Sequence, residues 1–201
     1  MPPENRPDES RSSDRLKLTL IYGSARDTRF GDIIGAWLAE RLTCHPEFAV
    51  EVIDPRDLDI SIRHKSDTPA GRQVRAALGA ADGFIVLTPE YNRSYPAALK
   101  AVLDLAYVEW QAKPVAFVSY GGVSGGLRAV EQLRLVFAEL HAVSVRDGVS
   151  FANVWDHLGE DGKLKAPPAA DAALRTMVEK LAWWAGALKA ARAAQPYAKA
   201  G

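Results

Sequence analysis

The sequence predicts an α/β protein built on a doubly wound, five-stranded parallel sheet with helices on both faces. Two observations carry this prediction. From Leu16 onward, short apolar runs alternate with longer stretches of helical period, the pattern of successive βαβ units. The runs are nearly continuously apolar rather than alternating, as strands covered on both faces require. A length of 201 residues suits one domain with tails. The expected division is a disordered N-terminal tail over residues 1–15, the domain over 16–188 and an Ala-rich C-terminal tail over 189–201.

The strands are expected at Lys17–Tyr22, Val50–Asp54, Gly83–Thr88, Pro114–Tyr120 and Val143–Val149. Between them runs the other period. Phe30, Ile33, Ile34, Trp37 and Leu38 fall on one stripe of a first helix. Val74, Leu78 and Ala81 mark a second helix, Leu99, Val102, Leu103 and Ala106 a third, and Val130, Leu133, Phe137 and Leu140 a fourth. Leu174, Met177, Val178, Leu181 and Leu188 mark the last. Pro55–Thr68 and Ala152–Pro168 break the alternation with charge, glycine and proline and are expected to be loops.

Composition narrows the partners. The 25 basic residues balance 25 acidic ones, so no long-range field draws the chain to nucleic acid or an anionic membrane, and a small-molecule partner becomes the default. A lone cysteine, Cys44, allows no internal disulfide or CxxC pair and fits a reducing cytoplasm. The polar, proline-containing start lacks the apolar run of a secretory signal. Apolar runs such as Phe84–Leu87 fall far short of the ~20 residues of a membrane span. His45, His64, His141 and His157 show no ligand spacing, so no metal is expected.

Ligands of doubly wound sheets bind beyond the carboxyl ends of the strands, where strand order reverses, so three loops matter most. After the first strand, Gly23–Gly31 combines glycines, the hydroxyls of Ser24 and Thr28, and Arg26 and Arg29 ahead of a helix N-terminus. That set suits a phosphate; the bland reading is a capped turn with solvated arginines. Neither GxGxxG nor GK[ST] is present, which favours a monophosphate over a dinucleotide or a Walker site. After the third strand, Thr88–Pro96 is stiffened by two prolines and could present Asn92 and a tyrosine face to a planar ring, or could simply cover the core. After the fourth strand, Gly121–Gly126 leaves room for a flat ligand.

That last loop also matches G-x-S-x-G, a nucleophile elbow. A serine hydrolase using Ser124 is therefore an alternative, with Asp147, Asp156, His141 and His157 downstream as possible partners and Ser124, Asp147 and His157 in the required order. It leaves Arg26, Arg29 and the stiff tyrosine loop without a use.

Taken together, Gly23-Ser24-x-Arg26 with Arg29-Phe30-Gly31, Thr88-Pro89-Glu90-Tyr91-Asn92-x-Ser94-x-Pro96 with Leu99-Lys100 and Asp104, and Tyr120-Gly121-Gly122 with Gly125-Gly126 resemble the NADPH-dependent FMN reductase family, which includes quinone, azo-dye and chromate reductases. The resemblance implies a flavodoxin-like sheet in the order 2-1-3-4-5. It further implies that Ser24, Arg26, Arg29, Phe30 and Gly31 surround the FMN phosphate, that Pro89, Glu90, Tyr91 and Asn92 line the isoalloxazine, and that Ser119, Tyr120, Gly121 and Gly122 close the far side. Ala101 stands where family members often have Asn, and Arg29-Phe30-Gly31 where many have Ser-Phe-Asn. The implied chemistry is transfer of electrons from NADPH or NADH, by hydride transfer at flavin N5, to a quinone, azo dye, free flavin or metal oxyanion. No catalytic side chain is implied. A non-catalytic FMN-binding redox module is a further alternative. Arg93 and Arg128 are candidates for the nucleotide phosphate or are solvated surface residues. A homodimer or homotetramer is expected from the resemblance, from the apolar stripes of the third and fourth helices and from Tyr107 and Trp110, which could equally belong to the core.

Overall fold

A computed structural model describes residues 15–60 and 67–197. The expected N-terminal tail, apart from Arg15, and part of the charged connection before the second helix lie outside the described residues.

The strands β1 (Leu16–Tyr22), β2 (Phe48–Ile53), β3 (Gly83–Pro89), β4 (Pro114–Tyr120), β5 (Val143–Ser144) and β6 (Val149–Phe151) alternate with the helices α1 (Phe30–Leu42), α2 (Pro69–Ala80), α3 (Ala97–Leu103), α4 (Leu127–Glu139) and α5 (Pro168–Ala194). All pairings are parallel and the order is β2-β1-β3-β4-β5, with β6 also on β4. The continuous β3 and β4 runs, GFIVLTP and PVAFVSY, are buried along their whole length, as central strands must be.

The pleat divides the apolar side chains between two cores. Leu18, Leu20, Ile85, Leu87, Ala116 and Val118 meet α1 and α5, through Ile34, Trp37, Leu38, Met177 and Leu181. Ile21, Phe84, Val86, Val115 and Phe117 meet α2, α3 and α4 on the other face. Trp110 belongs to this second core: it is fully buried against Phe84 and Phe137 and gives its indole N–H to the Leu103 carbonyl at 3.2 Å. Tyr107 stays about half exposed.

One strand differs from expectation. The fifth strand, expected as one run over Val143–Val149, is two short pieces. Arg134 of α4 captures the carbonyls of Val145 at 2.9 Å and Arg146 at 3.0 Å, which takes the intervening chain out of the ladder. The Ala-rich residues from 189, expected as a fraying helix or tail, continue α5 to Ala194. Ion pairs at the sheet's amino edge hold them, Lys189 to Asp82 at 2.9 Å and Arg192 to Asp82 at 3.5 Å. Among the described residues, no helix is long and apolar enough to cross a membrane.

Candidate functional site

The register brings the three loops side by side. Tyr22 is level with Leu87, Pro89 with Tyr120, and Tyr120 with Phe151, so the chain leaves β1, β3 and β4 at one edge of the sheet. Gly23 is wedged there: a Cβ would stand 2.9 Å from Thr88 Oγ1.

In the first loop, Ser24 is buried and its hydroxyl meets the Tyr91 hydroxyl at 2.8 Å, while the Arg26 N–H points at Ser24 Oγ at 3.4 Å. The Arg26 guanidinium lies over the Tyr91 ring, 4.0 Å from its centroid. Ser24, Arg26 and Tyr91 thus form one bridge between the first two loops. The backbone N–H groups of Ser24, Ala25, Asp27, Thr28 and Phe30 donate to no acceptor among the described residues. No side chain caps α1, whose N-cap residue is Arg29. This leaves a set of donors and the positive end of a helix at the same place.

Arg29 faces inward, its side chain only 2% exposed. It makes a bidentate pair with Asp54, at 2.9 Å for Nη1–Oδ1, bonds Asp32 at 2.9 Å and donates to the Ser24 carbonyl. Burial opposes ionisation of both partners, but the bonds from Arg29 and Arg56 together outweigh it for Asp54, whose carboxyl is held below its ordinary range. Arg29 therefore fixes the loop from beneath. The half-buried Phe30 packs on the core and Gly31 is covered by Tyr120; a Cβ there would lie 3.0 Å from the Tyr120 hydroxyl. Tyr120 is itself buried, and burial pushes its phenol well above the usual value, with Tyr91 adding to the rise.

In the second loop, Tyr91 and Ser94 exchange two backbone bonds at 2.8 and 3.0 Å around Asn92 (φ 50°) and Arg93 (φ 67°). Neither central residue is glycine, so the turn has to be held from outside. Gln132 of α4 does so, giving its amide to the Arg93 carbonyl at 2.7 Å and accepting from Ser94 Oγ at 2.6 Å. Asn92 stands exposed at the tip. Pro89 is buried as the last residue of β3.

Glu90 ties this loop to the third. Its N–H continues the ladder to the Tyr120 carbonyl at 3.0 Å. Its carboxylate, 9% exposed, accepts from Ser124 Oγ at 2.6 Å, Arg128 Nη1 at 3.0 Å and the Arg128 N–H at 3.2 Å. Burial would raise its pKa, but the bonds from Ser124 and Arg128 prevail and hold it below the ordinary value. Ser124 thus gives its proton to a carboxylate and meets no imidazole. His157 packs its ring against Phe151, and Asp147 lies 3.8 Å from Arg146, so the hydrolase triad is not assembled. Arg128 is likewise committed, while Arg93 is exposed.

The third loop turns at Gly125 (φ 60°) and Gly126 (φ 85°). A Cβ on Gly126 would come within 2.8 Å of Ser119 Cβ and the Tyr120 nitrogen. Ser119 is buried and spends its hydroxyl on the Gly125 carbonyl at 2.8 Å. The N–H groups of Gly122 and Val123, like those of Asn92 and Arg93, donate to no acceptor among the described residues.

The expected residues also have a neighbour that the sequence did not single out. Trp155, in a 3-10 turn over Val154–His157, is 56% exposed and reaches over Gly122. Its only sequence signal is a large aromatic side chain in a loop of charged and small residues. A cavity of about 580 Å³ between α1 and residues 162–164, lined among others by Trp37, Arg41 and Lys163, contains none of the expected site residues.

The family model for NADPH-dependent FMN reductase matches residues 16–156. An NAD(P)H-dependent FMN reductase of Schizosaccharomyces pombe is 37% identical over 120 residues, which cover 55% of this chain and 60% of the relative. The match to a Nectria FMN reductase likewise covers 65% of that relative, so the chain spans less than two thirds of the length of both. A quinone reductase of Pseudomonas putida is 26% identical over 187 residues, covering 86% of this chain and 96% of the relative. Among solved structures, the flavoenzyme NAD(P)H:(acceptor) oxidoreductase FerB of Paracoccus denitrificans superposes with a TM-score of 0.68 at 19% identity, covering 84% of this chain and 97% of that one. That likeness shows the fold. A match running from the first strand through all three loops means that this chain belongs to the NADPH-dependent FMN reductase family.

Proposed function

We propose that the protein holds FMN across the three loops and passes electrons from NADPH or NADH to a small acceptor, such as a quinone, azo dye, free flavin or metal oxyanion. The observation that carries this reading is the set of unused backbone donors in residues 24–30 at the N-terminus of α1, next to a second set at Asn92, Arg93, Gly122 and Val123. The first set suits a phosphate monoester and the second the carbonyl and imine acceptors along one edge of a flavin ring. The residues present therefore fit the cofactor. Relatives named as NADPH azoreductase and 2-hydroxy-1,4-benzoquinone reductase support acceptors of this range.

Each group then has a task. Ser24 Oγ can accept from Arg26 N–H and Tyr91 O–H and still offer its own proton to a phosphate oxygen. Arg26, flattened on Tyr91, adds a positive charge that no carboxylate among the described residues neutralises. Arg29 and Asp54 keep the loop backbone in place, and Glu90 locks the second loop against the third. The bound flavin would supply the hydride-accepting N5, so no acid–base side chain is needed. Overall the nucleotide loses a hydride, and a quinone gains it with one proton from water to become a hydroquinone.

The test is direct. FMN added to the purified protein should remain bound through gel filtration and bleach anaerobically when NADPH or NADH is supplied. Comparing the two nucleotides then measures the preference. Arg26→Ala should raise the FMN dissociation constant about tenfold, the worth of one charge-assisted contact. A protein that takes up no FMN sinks the proposal; one that binds it but turns over no acceptor is a redox module instead. The exposed Tyr107, Val108 and Leu135 support a homodimer or homotetramer, which sedimentation would check, and the lone Cys44 fits the cytoplasm.

A further inference from the structure

We propose that Trp155 is a specificity-determining wall of this site, selecting flat aromatic acceptors of the quinone class over compact oxyanions. The inference rests on the FMN reading above and goes beyond it by choosing among acceptors. Three observations support it.

The indole lies against the glycine turn, on a backbone fastened to it. Its Cη2 lies 3.6 Å from where a Cβ on Gly122 would stand. The 3-10 turn that carries it is fastened to the same backbone, by Asn153 N–H to the Gly122 carbonyl at 2.9 Å and Val154 N–H to the Gly121 carbonyl at 3.1 Å. Val154, 2% exposed, anchors the turn in the core, and Asn153 takes a positive φ of 45° to let the chain make the corner.

Packing does not account for the ring. Val154 already fills the core at this point, whereas Trp155 leaves 56% of its surface in water. A large aromatic residue held in one place and half exposed is suited to stacking on a partner. The adjoining Val123, 80% exposed at the tip of the glycine turn, extends the apolar surface.

The chemistry around the ring favours a planar, uncharged acceptor. The glycine turn leaves room for something flat, and Arg128, the cation on the helix that follows this turn, is already paired with Glu90. A tetrahedral oxyanion has no π face to stack here, whereas a naphthoquinone gains from both the indole and the valine.

The FMN-loaded protein and its Trp155→Ala and Trp155→Phe variants would be compared with 1,4-naphthoquinone and chromate as acceptors. The ratio of kcat/KM for naphthoquinone to that for chromate should fall about fivefold to tenfold in Trp155→Ala and recover to within about twofold in Trp155→Phe. Calorimetry on the oxidised, FMN-loaded protein without nucleotide should show the naphthoquinone dissociation constant rising by the same factor. An unchanged ratio or dissociation constant in Trp155→Ala overturns the inference. So does a shift in oligomeric state on sedimentation, which would mean that the indole is covered by a second copy of the chain. Failure of the wild-type protein to bind FMN overturns the underlying reading and this inference with it, and is distinguished because it shows before any acceptor is added.

Discussion

Glu90 carries a charge where few side chains can. It is nearly buried, and it is tolerated because Ser124 and Arg128 supply three hydrogen bonds. Its folded-state pKa lies below the ordinary glutamate value of 4.5, so its contribution is complete above that value and is lost as pH falls through the depressed one. Glu90→Gln should therefore cost about 1–3 kcal/mol at neutral pH, and chemical denaturation should show the gap from wild type narrowing as pH falls below the ordinary glutamate value. A gap that stays constant with pH would mean that the charge does not matter. The sequence placed Glu90 at the site by resemblance, but its task of joining two loops needed the position of α4. Arg29 shows the same limit. Its spacing from Gly23 suggested a phosphate ligand, whereas its partner Asp54 comes from the end of another strand.

At the scale of elements, the third loop depends on conformations that glycine alone adopts cheaply. Gly126→Ala combines a φ of 85° with contacts of 2.8 Å to Ser119 and Tyr120, so it should cost at least about 2 kcal/mol and weaken FMN retention together with it. Gly162→Ala is the control: its φ is 74°, but nothing lies within 4 Å of the added carbon, and about 1 kcal/mol is expected. Equal costs in urea denaturation would show that crowding at Gly126 is relieved by a small shift. The elements themselves were readable where one period dominated, as in Pro114–Tyr120, which is found with the expected bounds. Val143–Val149 misled because its valines look like a strand, while the interruption depends on Arg134 reaching across from a neighbouring helix.

Across the whole molecule, the sheet separates two apolar cores, and Asp82 closes the edge opposite the site. It accepts from the Lys17 N–H at 3.0 Å and from Lys189 and Arg192 at the end of α5. Asp82→Asn should release the last turns of α5, seen as faster amide exchange over residues 186–194, and leave the FMN dissociation constant within about twofold because the site lies at the other edge. A large loss of FMN affinity would contradict this separation. The amino-acid pattern was enough for the parallel α/β class and the loops that meet, because period and glycine placement are local properties of the chain, while the strand order was implied only by the family likeness. Which side chains meet is not local. The inward turn of Arg29, the Ser124–Glu90 bond that removes the hydrolase alternative, and the seat of Trp155 over Gly122 join residues far apart along the chain, and only parallel strands in a particular register bring such groups within a few ångströms.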